Sequence, residues 1–358
     1  MDAQVLLVGA MGHIGGAVLD QLVQAHPDLP ITALVRSRKD ADILAKQYAH
    51  AKVKQAIGTL DDTALLEDLA GEANIVINCG PDVIYGAGIT ALLRGQSAQQ
   101  THTFYIGTTG AASGWDAPTG RGGARIWDDV ANIDELLAQP DSVTHIATDK
   151  LVLAANSPQL HTALVSPCFV AGVSPSQTHP TPLVYPDWLG VMEAVGGGLV
   201  IAEGANRTSF VDVKHLAGLY VRLVGDALSQ LREEGSRPFT TAEGVQIWGP
   251  RAYYFGVNGE MTLRELMEDH MVPSLEKHGV PWLKTKEIQE VSLDRITEAI
   301  FARLGGVEGA ELWSSHLAEA FGVNMRVKGT RAEKALGYVW DGSGDSGIGE
   351  SLAVFLGK

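Results

Sequence analysis

Short apolar runs alternate with helix-like stretches through the first half of the chain. Runs of strand type are predicted at Gln4–Val8, Ile31–Val35, Val53–Ile57, Asn74–Asn78, Phe104–Gly107 and Leu160–Val165. Helical spacing is predicted at Ile14–Gln24, at Ala41–Tyr48, after Asp61, around Thr90–Arg94 and at His145–Ala155. Strands that are apolar throughout are typical of burial on both faces, and their alternation with helices indicates a parallel sheet. The fold class expected is α/β, with a doubly wound parallel sheet.

After Pro167 the regular alternation of strand-like and helix-like segments is lost. Prolines and glycines crowd Ser174–Gly198, and helical spacing returns at Val213–Leu231, Leu263–Lys277, Leu293–Ala302 and Ala310–Phe321. A chain of 358 residues is long enough for two domains. We expect a dinucleotide-binding domain over residues 1–170 and a smaller, mixed, mostly helical substrate lobe over residues 171–358. Segments at about 207–225 and 250–258 are expected to return to the first domain.

A glycine-rich turn follows the first strand in the sequence VLLVGAMGHIGG. Gly9, Gly12 and Gly15 are spaced as GxxGxxG directly before a helix. Glycines permit a tight turn and a close approach of the backbone to a pyrophosphate, and the helix offers its N–H groups and positive dipole end to that anion. The pattern predicts a Rossmann-type nicotinamide dinucleotide site. Besides the three glycines, the cofactor-binding residues expected in this turn are Met11, His13 and Ile14.

Cations cluster after the second predicted strand, where this fold meets the adenosine ribose. The segment reads LVRSRK, and Arg36 and Arg38 are placed to clamp a phosphate with forked N–H donors. An acidic residue there would instead bind the ribose hydroxyl of NAD. The sequence therefore favours NADP (NADPH) over NAD.

Charge and composition restrict the classes of binding partner. The formal net charge is −15, from 27 basic and 42 acidic residues, which argues against nucleic acid or an anionic membrane as a partner. No apolar run is long enough to span a bilayer, and the N-terminus lacks the features of a signal peptide. Cys79 and Cys168 form neither a disulfide framework nor a metal-binding pattern, so we expect no metal and a cytoplasmic location.

Further motifs resemble the extended or atypical type of the short-chain dehydrogenase/reductase superfamily. IGTLDD (57–62) resembles its adenine-contacting segment, NCGPDV (78–83) stands where the superfamily has a motif beside the ribose, and SPCFVAG (166–172) resembles the segment after the sixth strand. Softer similarities continue through 207–224, 253–260 and 331–340. The resemblance implies cofactor contacts by Thr59 and Leu60 at the adenine, Cys79 and Gly80 at the ribose, and Pro167 and Val170 at the nicotinamide carboxamide.

The resemblance also implies a catalytic Ser or Thr followed by a YxxxK helix. Thr108 and Thr109 stand at the end of the fifth predicted strand, and Lys150 matches the lysine, which would also hold the nicotinamide ribose. Ile146 occupies the tyrosine position, and an isoleucine cannot transfer a proton.

Another group must therefore move the proton, or no proton transfer occurs. Candidates are Tyr85, in a loop after the fourth strand, and His145, adjacent to the missing tyrosine; Tyr185 belongs to the second lobe, and Tyr105 is expected in the core. His145 and Asp149 also fit the spacing of an atypical HRxxD pattern seen in related fungal-type proteins.

Three functions remain open at this point. The first is an NADP-dependent oxidoreductase of a small or medium organic carbonyl or alcohol, of the kind found in secondary metabolism. The second is a non-redox epimerase, dehydratase or cyclase whose cofactor is structural or used transiently, because shape and electrostatics catalyse without a proton relay. The third is an NmrA-like, dinucleotide-sensing regulatory protein. The partner expected is a small-molecule substrate, and the resemblance allows a homodimer.

Overall fold

The computed structural model describes residues 3–81, 85–233, 238–305, 307, 309–340 and 346–358. In chain order its strands are β1 (Val5–Val8), β2 (Ile31–Val35), β3 (Val53–Ile57), β4 (Ile75–Asn78), β5 (Thr103–Thr108), β6 (Trp127–Asp128), β7 (Leu160–Pro167), β8 (Phe169–Ala171), β9 (Leu199–Val200), β10 (Arg207–Asp212), β11 (Tyr253–Gly256), β12 (Gly259–Thr262), β13 (Gln289–Glu290) and β14 (Val327–Lys328).

The helices separate these strands. They are α1 (His13–Ala25), α2 (Arg38–Gln47), α3 (Thr63–Glu72), α4 (Gly86–Ser97), α5 (Ile133–Leu137), α6 (Ile146–Ala154), α7 (Tyr185–Val195), α8 (Val213–Arg232), α9 (Leu263–Glu265), α10 (Val272–Lys277), α11 (Leu293–Leu304), α12 (Ala310–Glu319), α13 (Thr330–Leu336) and α14 (Ile348–Phe355). A short 3-10 helix, Ala111–Gly114, follows β5. Among the described residues, no helix is both long and apolar enough to cross a membrane.

Within the described residues, seven parallel strands form the central sheet, in the order β11-β7-β5-β4-β1-β2-β3. The order reverses beside β1, where Val5 is in register with both Ile31 and Ile75. Every residue of β1 and β4 is buried, which explains why these strands are apolar throughout. The predicted doubly wound parallel sheet is confirmed, and all its carboxyl ends meet at one edge.

Helices cover both faces of this sheet. α1 packs against α8, whereas α3 packs against α4 and α4 against α6. Right-handed crossovers require this division, because the chain moves away from β1 in opposite directions along the sheet. β11 and α8 come late in the sequence but join the first core, since β11 pairs with β7.

A second core lies in the C-terminal half. It is built around a smaller sheet in which β10 pairs parallel with β8 and antiparallel with β12. Tyr185, Trp188 and Phe321 are buried there. The helix predicted over 263–277 contains a π-helical stretch at Leu266–Met271, directly before Val272 and Pro273. Pro273 has no N–H to donate, which accounts for the altered hydrogen-bonding pattern of the preceding turn.

Candidate active site and cofactor cleft

The glycine-rich turn brings the ends of β1 and β4 together. Gly9 has a φ of +82°, and a Cβ atom there would lie 2.7 Å from the carbonyl carbon of Cys79. A Cβ atom at Gly15 would lie 2.1 Å from the carbonyl oxygen of Gly9. The turn therefore requires glycine at both positions, and it leads into the N-terminus of α1 at Gly12. A bare backbone cradle at a helix N-terminus fits the pyrophosphate of a dinucleotide.

A segment of the second lobe, residues 174–180, lies against this turn. Ser176 and Thr178 donate hydrogen bonds to the carbonyl oxygen of Met11, at 2.7 and 2.8 Å, and Nδ1 of His179 lies 3.0 Å from the same oxygen. These three contacts to Met11 were not predicted. The only sequence signal for them is the polar run SPSQTH.

His13 and Ile14 also face protein. Nε2 of His13 lies 3.1 Å from the carbonyl oxygen of Gly172, and burial lowers the pKa of the imidazole despite this contact. Ile14 packs against the first core. What these two residues offer a cofactor is therefore their position in the first turn of α1, where backbone N–H groups remain available.

The expected phosphate-binding arginines follow β2. Arg36 and Arg38 are both exposed, and Ser37 between them caps α2 by accepting a hydrogen bond from the N–H of Asp40 at 3.1 Å. β2 is the neighbour of β1, so both arginines follow the strand next to the one that carries the glycine-rich turn.

The adenine segment follows β3. Thr59 donates from its N–H and its hydroxyl to the Asp62 carboxylate, at 2.6 and 3.1 Å. Leu60 reaches the end of β4, because a Cβ atom on Gly80 would lie 3.0 Å from its Cδ1. Thr59, Leu60 and Gly80 are thus brought to one side of the cleft.

The end of β4 is tied to β5 by buried polar contacts. Asn78 donates to the Tyr105 hydroxyl at 3.1 Å and accepts from the Gly80 N–H at 3.0 Å. Burial raises the pKa of the Cys79 thiol to about 12, although it hydrogen-bonds with Thr108 and Tyr220. The thiol is therefore protonated, and Tyr105 lies in the core as predicted.

The two threonines after β5 differ in their surroundings. The Thr108 hydroxyl lies 2.6 Å from the Tyr220 hydroxyl on α8, a partner that no sequence signal identified. The Thr109 hydroxyl is buried and has no hydrogen-bond partner within the described ranges. Its N–H donates to the Val165 carbonyl at 2.9 Å, which fixes the backbone. Of the two hydroxyls, that of Thr109 is the one without a hydrogen-bond partner among the described residues.

His145 reaches the same place from the start of α6. A Cβ atom on Gly110 would lie 2.5 Å from Nε2 of His145, so the imidazole lies directly over the residue after Thr109. His145 is the residue before α6 and has a φ of +74°. A positive φ is uncommon outside glycine, and such strain of about 1–3 kcal/mol is concentrated at functional sites.

One turn along α6, Asp149 is buried beside Tyr253 of β11. The Tyr253 hydroxyl donates to Ser166 of β7 at 3.1 Å, and burial with the Asp149 charge raises its pKa. The N–H of Asp149 donates to the His145 carbonyl at 2.9 Å, so the HxxxD spacing places the two residues one helical turn apart. Ile146, at the tyrosine position, is fully buried.

Lys150 has partners at the surface side of α6. Its ammonium group donates to the Gln139 carbonyl at 2.8 Å and to the exposed Asp141 carboxylate at 2.7 Å. Gln139 in turn donates to the Ser113 carbonyl at 2.9 Å, which connects Lys150 to the loop after β5.

The remaining predicted residues lie in several parts of the fold. Pro167 ends β7 and Val170 lies in β8, at the seam between the two sheets. Tyr85 precedes α4, whose residue Ile89 donates to its carbonyl. Tyr185 is buried in the second core with its hydroxyl 2.7 Å from Ser351, so it serves packing there. Asp82 and Val83 of the NCGPDV segment lie outside the described residues.

The second lobe reaches this end of the sheet through α12. The ring of His316 stacks on Trp115, the residue after the 3-10 helix, with centroids 4.8 Å apart. No sequence signal connected these two residues. Among the described residues, no group of three or more His, Cys, Asp or Glu side chains is arranged to hold a metal ion.

Comparisons with known proteins agree with this architecture. Residues 5–105 match the family model described as the saccharopine dehydrogenase NADP binding domain. The chain is 26% identical to an oxidase, ucsJ, from Acremonium sp., over 94% of this chain and 93% of the relative.

Solved structures share the fold at low identity. The PbgP3 protein from Burkholderia pseudomallei superposes with a TM-score of 0.62 at 11% identity, covering 100% of this chain and 98% of that one. DesIV, a dTDP-glucose 4,6-dehydratase from Streptomyces venezuelae, gives 0.60 at 18% identity, covering 99% and 98%. At these identities the solved structures show a shared α/β fold, and the family match over residues 5–105 is to an NADP-binding domain.

Proposed function

We propose that this chain is an NADP-dependent oxidoreductase that acts on a small or medium organic carbonyl or alcohol, with His145 as its proton-transfer group. The observation that carries the proposal is the position of the His145 imidazole against Gly110, next to the buried Thr109 hydroxyl. A histidine is the side chain best suited to exchange a proton near neutral pH. The similarity to an oxidase over nearly the whole chain supports an oxidoreductase.

The chain's own residues divide the work. The glycine-rich turn and the N-terminus of α1 hold the pyrophosphate, and Arg36 and Arg38 hold the ribose phosphate. When bound, the reduced nicotinamide supplies a hydride to the carbonyl carbon of the substrate. Thr109 donates a hydrogen bond to the carbonyl oxygen, and His145 gives that oxygen its proton, so that an alcohol forms. In the reverse direction His145 accepts the proton.

The test is NADPH oxidation with a panel of aldehydes and ketones, in wild type and in His145→Asn. Asparagine tolerates a positive φ, so the backbone of α6 is retained while the titratable group is lost. We expect kcat to fall by about 100-fold or more, with the Kd for NADPH unchanged. His50→Asn, at an exposed site, is the control and keeps full activity. If Tyr85→Phe abolishes turnover and His145→Asn does not, Tyr85 has the role assigned here to His145.

Lys150 is proposed to support the nicotinamide ribose. Because its ammonium group also binds Gln139 and Asp141, loss of the lysine has a structural component. Asp141→Asn removes one of those contacts and keeps the lysine, so it measures that component. We expect Lys150→Met to reduce hydride transfer at least about tenfold more than Asp141→Asn does. Equal losses in the two variants would leave Lys150 a purely structural role.

A non-redox epimerase, dehydratase or cyclase is the second candidate. The buried Ile146 at the tyrosine position favours it, because the usual proton donor is absent from this helix position. Product formation from a substrate without any change in nicotinamide absorbance would establish this function and exclude the first.

A further inference from the structure

Three rings from the two lobes form an aromatic cluster beside the proposed reaction site. The cluster consists of Trp115, Trp313 and His316. His316 lies parallel to Trp115, with an interplanar angle of 22° and centroids 4.8 Å apart. Trp313, one turn earlier on α12, meets the His316 ring edge-on at 6.2 Å and is 37% exposed. Aromatic rings at such a junction present a flat apolar wall to a ligand.

This cluster is close to His145. Burial lowers the pKa of His316, and the nearby His145 imidazole lowers it further. Since the His145 ring lies over Gly110, the cluster adjoins the end of β5 that holds Thr109. His316 is uncharged at neutral pH, and the Glu319 carboxylate lies 3.9 Å from its Nδ1.

The surroundings of the cluster do not favour an anionic ligand. Arg207 of β10 and Arg326, the residue before β14, both bind the Glu260 carboxylate, at 3.1 and 2.7 Å. Glu260 thereby offsets part of their charge, and the formal net charge of the chain as a whole is −15. A diphosphate would need cationic donors that these arginines already direct elsewhere.

One polar atom of the cluster favours a ligand with an uncharged hydrogen-bond acceptor. The indole N–H of Trp115 is buried and has no hydrogen-bond partner within the described ranges. A buried donor without an acceptor costs about 1–3 kcal/mol, and an uncharged carbonyl or ether oxygen of a ligand would satisfy it without bringing a charge into the site.

We propose that the cluster of Trp115, Trp313 and His316 is the specificity-determining wall of the substrate site, and that it selects an uncharged carbonyl compound with a planar aromatic or conjugated group. This inference rests on the proposed function, because it takes the cleft at Thr109 and His145 as the reaction site. A ring stacked on the wall gains dispersion and quadrupole energy that a saturated ring of equal size does not.

The test measures binding by calorimetry in the presence of saturating NADP. The probes are 2-acetylnaphthalene, its ring-saturated counterpart 2-acetyldecalin, and UDP-glucose. We expect the aromatic ketone to bind about fivefold more tightly than the saturated one, and UDP-glucose to bind more weakly than both. Equal affinity for the two ketones, tighter binding of UDP-glucose, or no binding of any probe would overturn the inference.

Substitutions within the cluster test which side chains produce the preference for the aromatic ketone. Trp313→Leu and His316→Leu should reduce the ratio of the two ketone affinities to below about twofold, while His316→Phe keeps a ring and should preserve the ratio. Trp282→Leu, at a tryptophan that packs on the second core, is the matched control and should leave the ratio unchanged. An unchanged ratio in both leucine variants would overturn the inference. A preserved aromatic preference without NADPH oxidation would instead refute the proposed function alone.

Discussion

The imidazole of His145 lies directly against Gly110 at the carboxyl end of β5. A Cβ atom at Gly110 would lie 2.5 Å from Nε2 and 3.0 Å from Cε1 of that ring. Real Cβ atoms do not approach other atoms so closely, so the histidine position depends on a glycine 35 positions earlier in the sequence. The strained backbone of His145, at a φ of +74°, maintains this contact from the other side.

Gly110→Ala should therefore impair catalysis without affecting the cofactor site. The methyl group displaces the His145 ring, and a displacement of about 1 Å in a reacting group costs on the order of 100-fold in rate. We expect kcat to fall by about that factor while the Kd for NADPH stays within about twofold. Gly225→Ala is the control, because a Cβ atom there meets nothing within 4 Å. Full activity in Gly110→Ala would show that the ring position is not important for catalysis.

Gly12→Ala tests the pyrophosphate cradle. Gly12 has an ordinary φ of −77°, and its Cβ would lie 3.2 Å from the Gly9 carbonyl, so the chain should still fold. The added methyl group stands at the N-terminus of α1, where the anion must approach the backbone. Calorimetry should show dinucleotide binding weakened by about tenfold or more, with Tm changed by only a few degrees. Gly71→Ala, whose Cβ would make an ordinary 3.8 Å contact, should bind normally.

Arg36→Asp tests the choice between cofactors. A charge-assisted hydrogen bond to phosphate contributes about 1.5–3 kcal/mol, so the Kd for NADP should rise by about 10- to 100-fold. The Kd for NAD, which lacks that phosphate, should change by less than about threefold. Arg94→Asp places the same charge change at the far end of α4 and controls for net charge. Equal losses for both dinucleotides would refute the phosphate role of Arg36.

His161 should make the folding stability depend on pH. Its ring lies in β7, stacked 3.9 Å from Phe239, with Nε2 2.8 Å from Nδ1 of His102. Burial, and next the neighbouring His102, lower the pKa of His161 from 6.5 to about 4. The unfolded chain binds a proton more readily than the folded one, so the stabilisation is complete above pH 6.5 and is lost as the pH falls toward 4.

Urea unfolding across that interval checks this expectation. The free energy of unfolding of wild type should fall by up to about 3 kcal/mol more than that of His161→Phe. The phenylalanine retains a ring in the stack but does not titrate. His50→Gln, at an exposed histidine, should follow wild type. Parallel pH profiles for wild type and His161→Phe would contradict the assignment to His161.

The amino-acid sequence determined the frame of this protein. The spacing of hydrophobic positions and the apolar composition of short runs predicted the strands β1 to β5 and β7 and their parallel pairing, because a strand buried on both faces admits few polar residues. The glycine spacing after β1 predicted the turn, since φ at Gly9 and the contacts of Gly15 exclude side chains. The isoleucine at 146 showed without any structure that the usual proton donor is missing.

Only the tertiary structure decided which side chains surround the proposed reaction site. The sequence could not separate Thr108 from Thr109, because the difference is the Tyr220 hydroxyl, which arrives on α8 more than 100 residues later. It likewise gave no reason to bring His316 to Trp115, or residues 174–180 to Met11. Local periodicity sets which residues form an element, whereas the docking of one lobe on the other depends on long-range packing that no local pattern encodes.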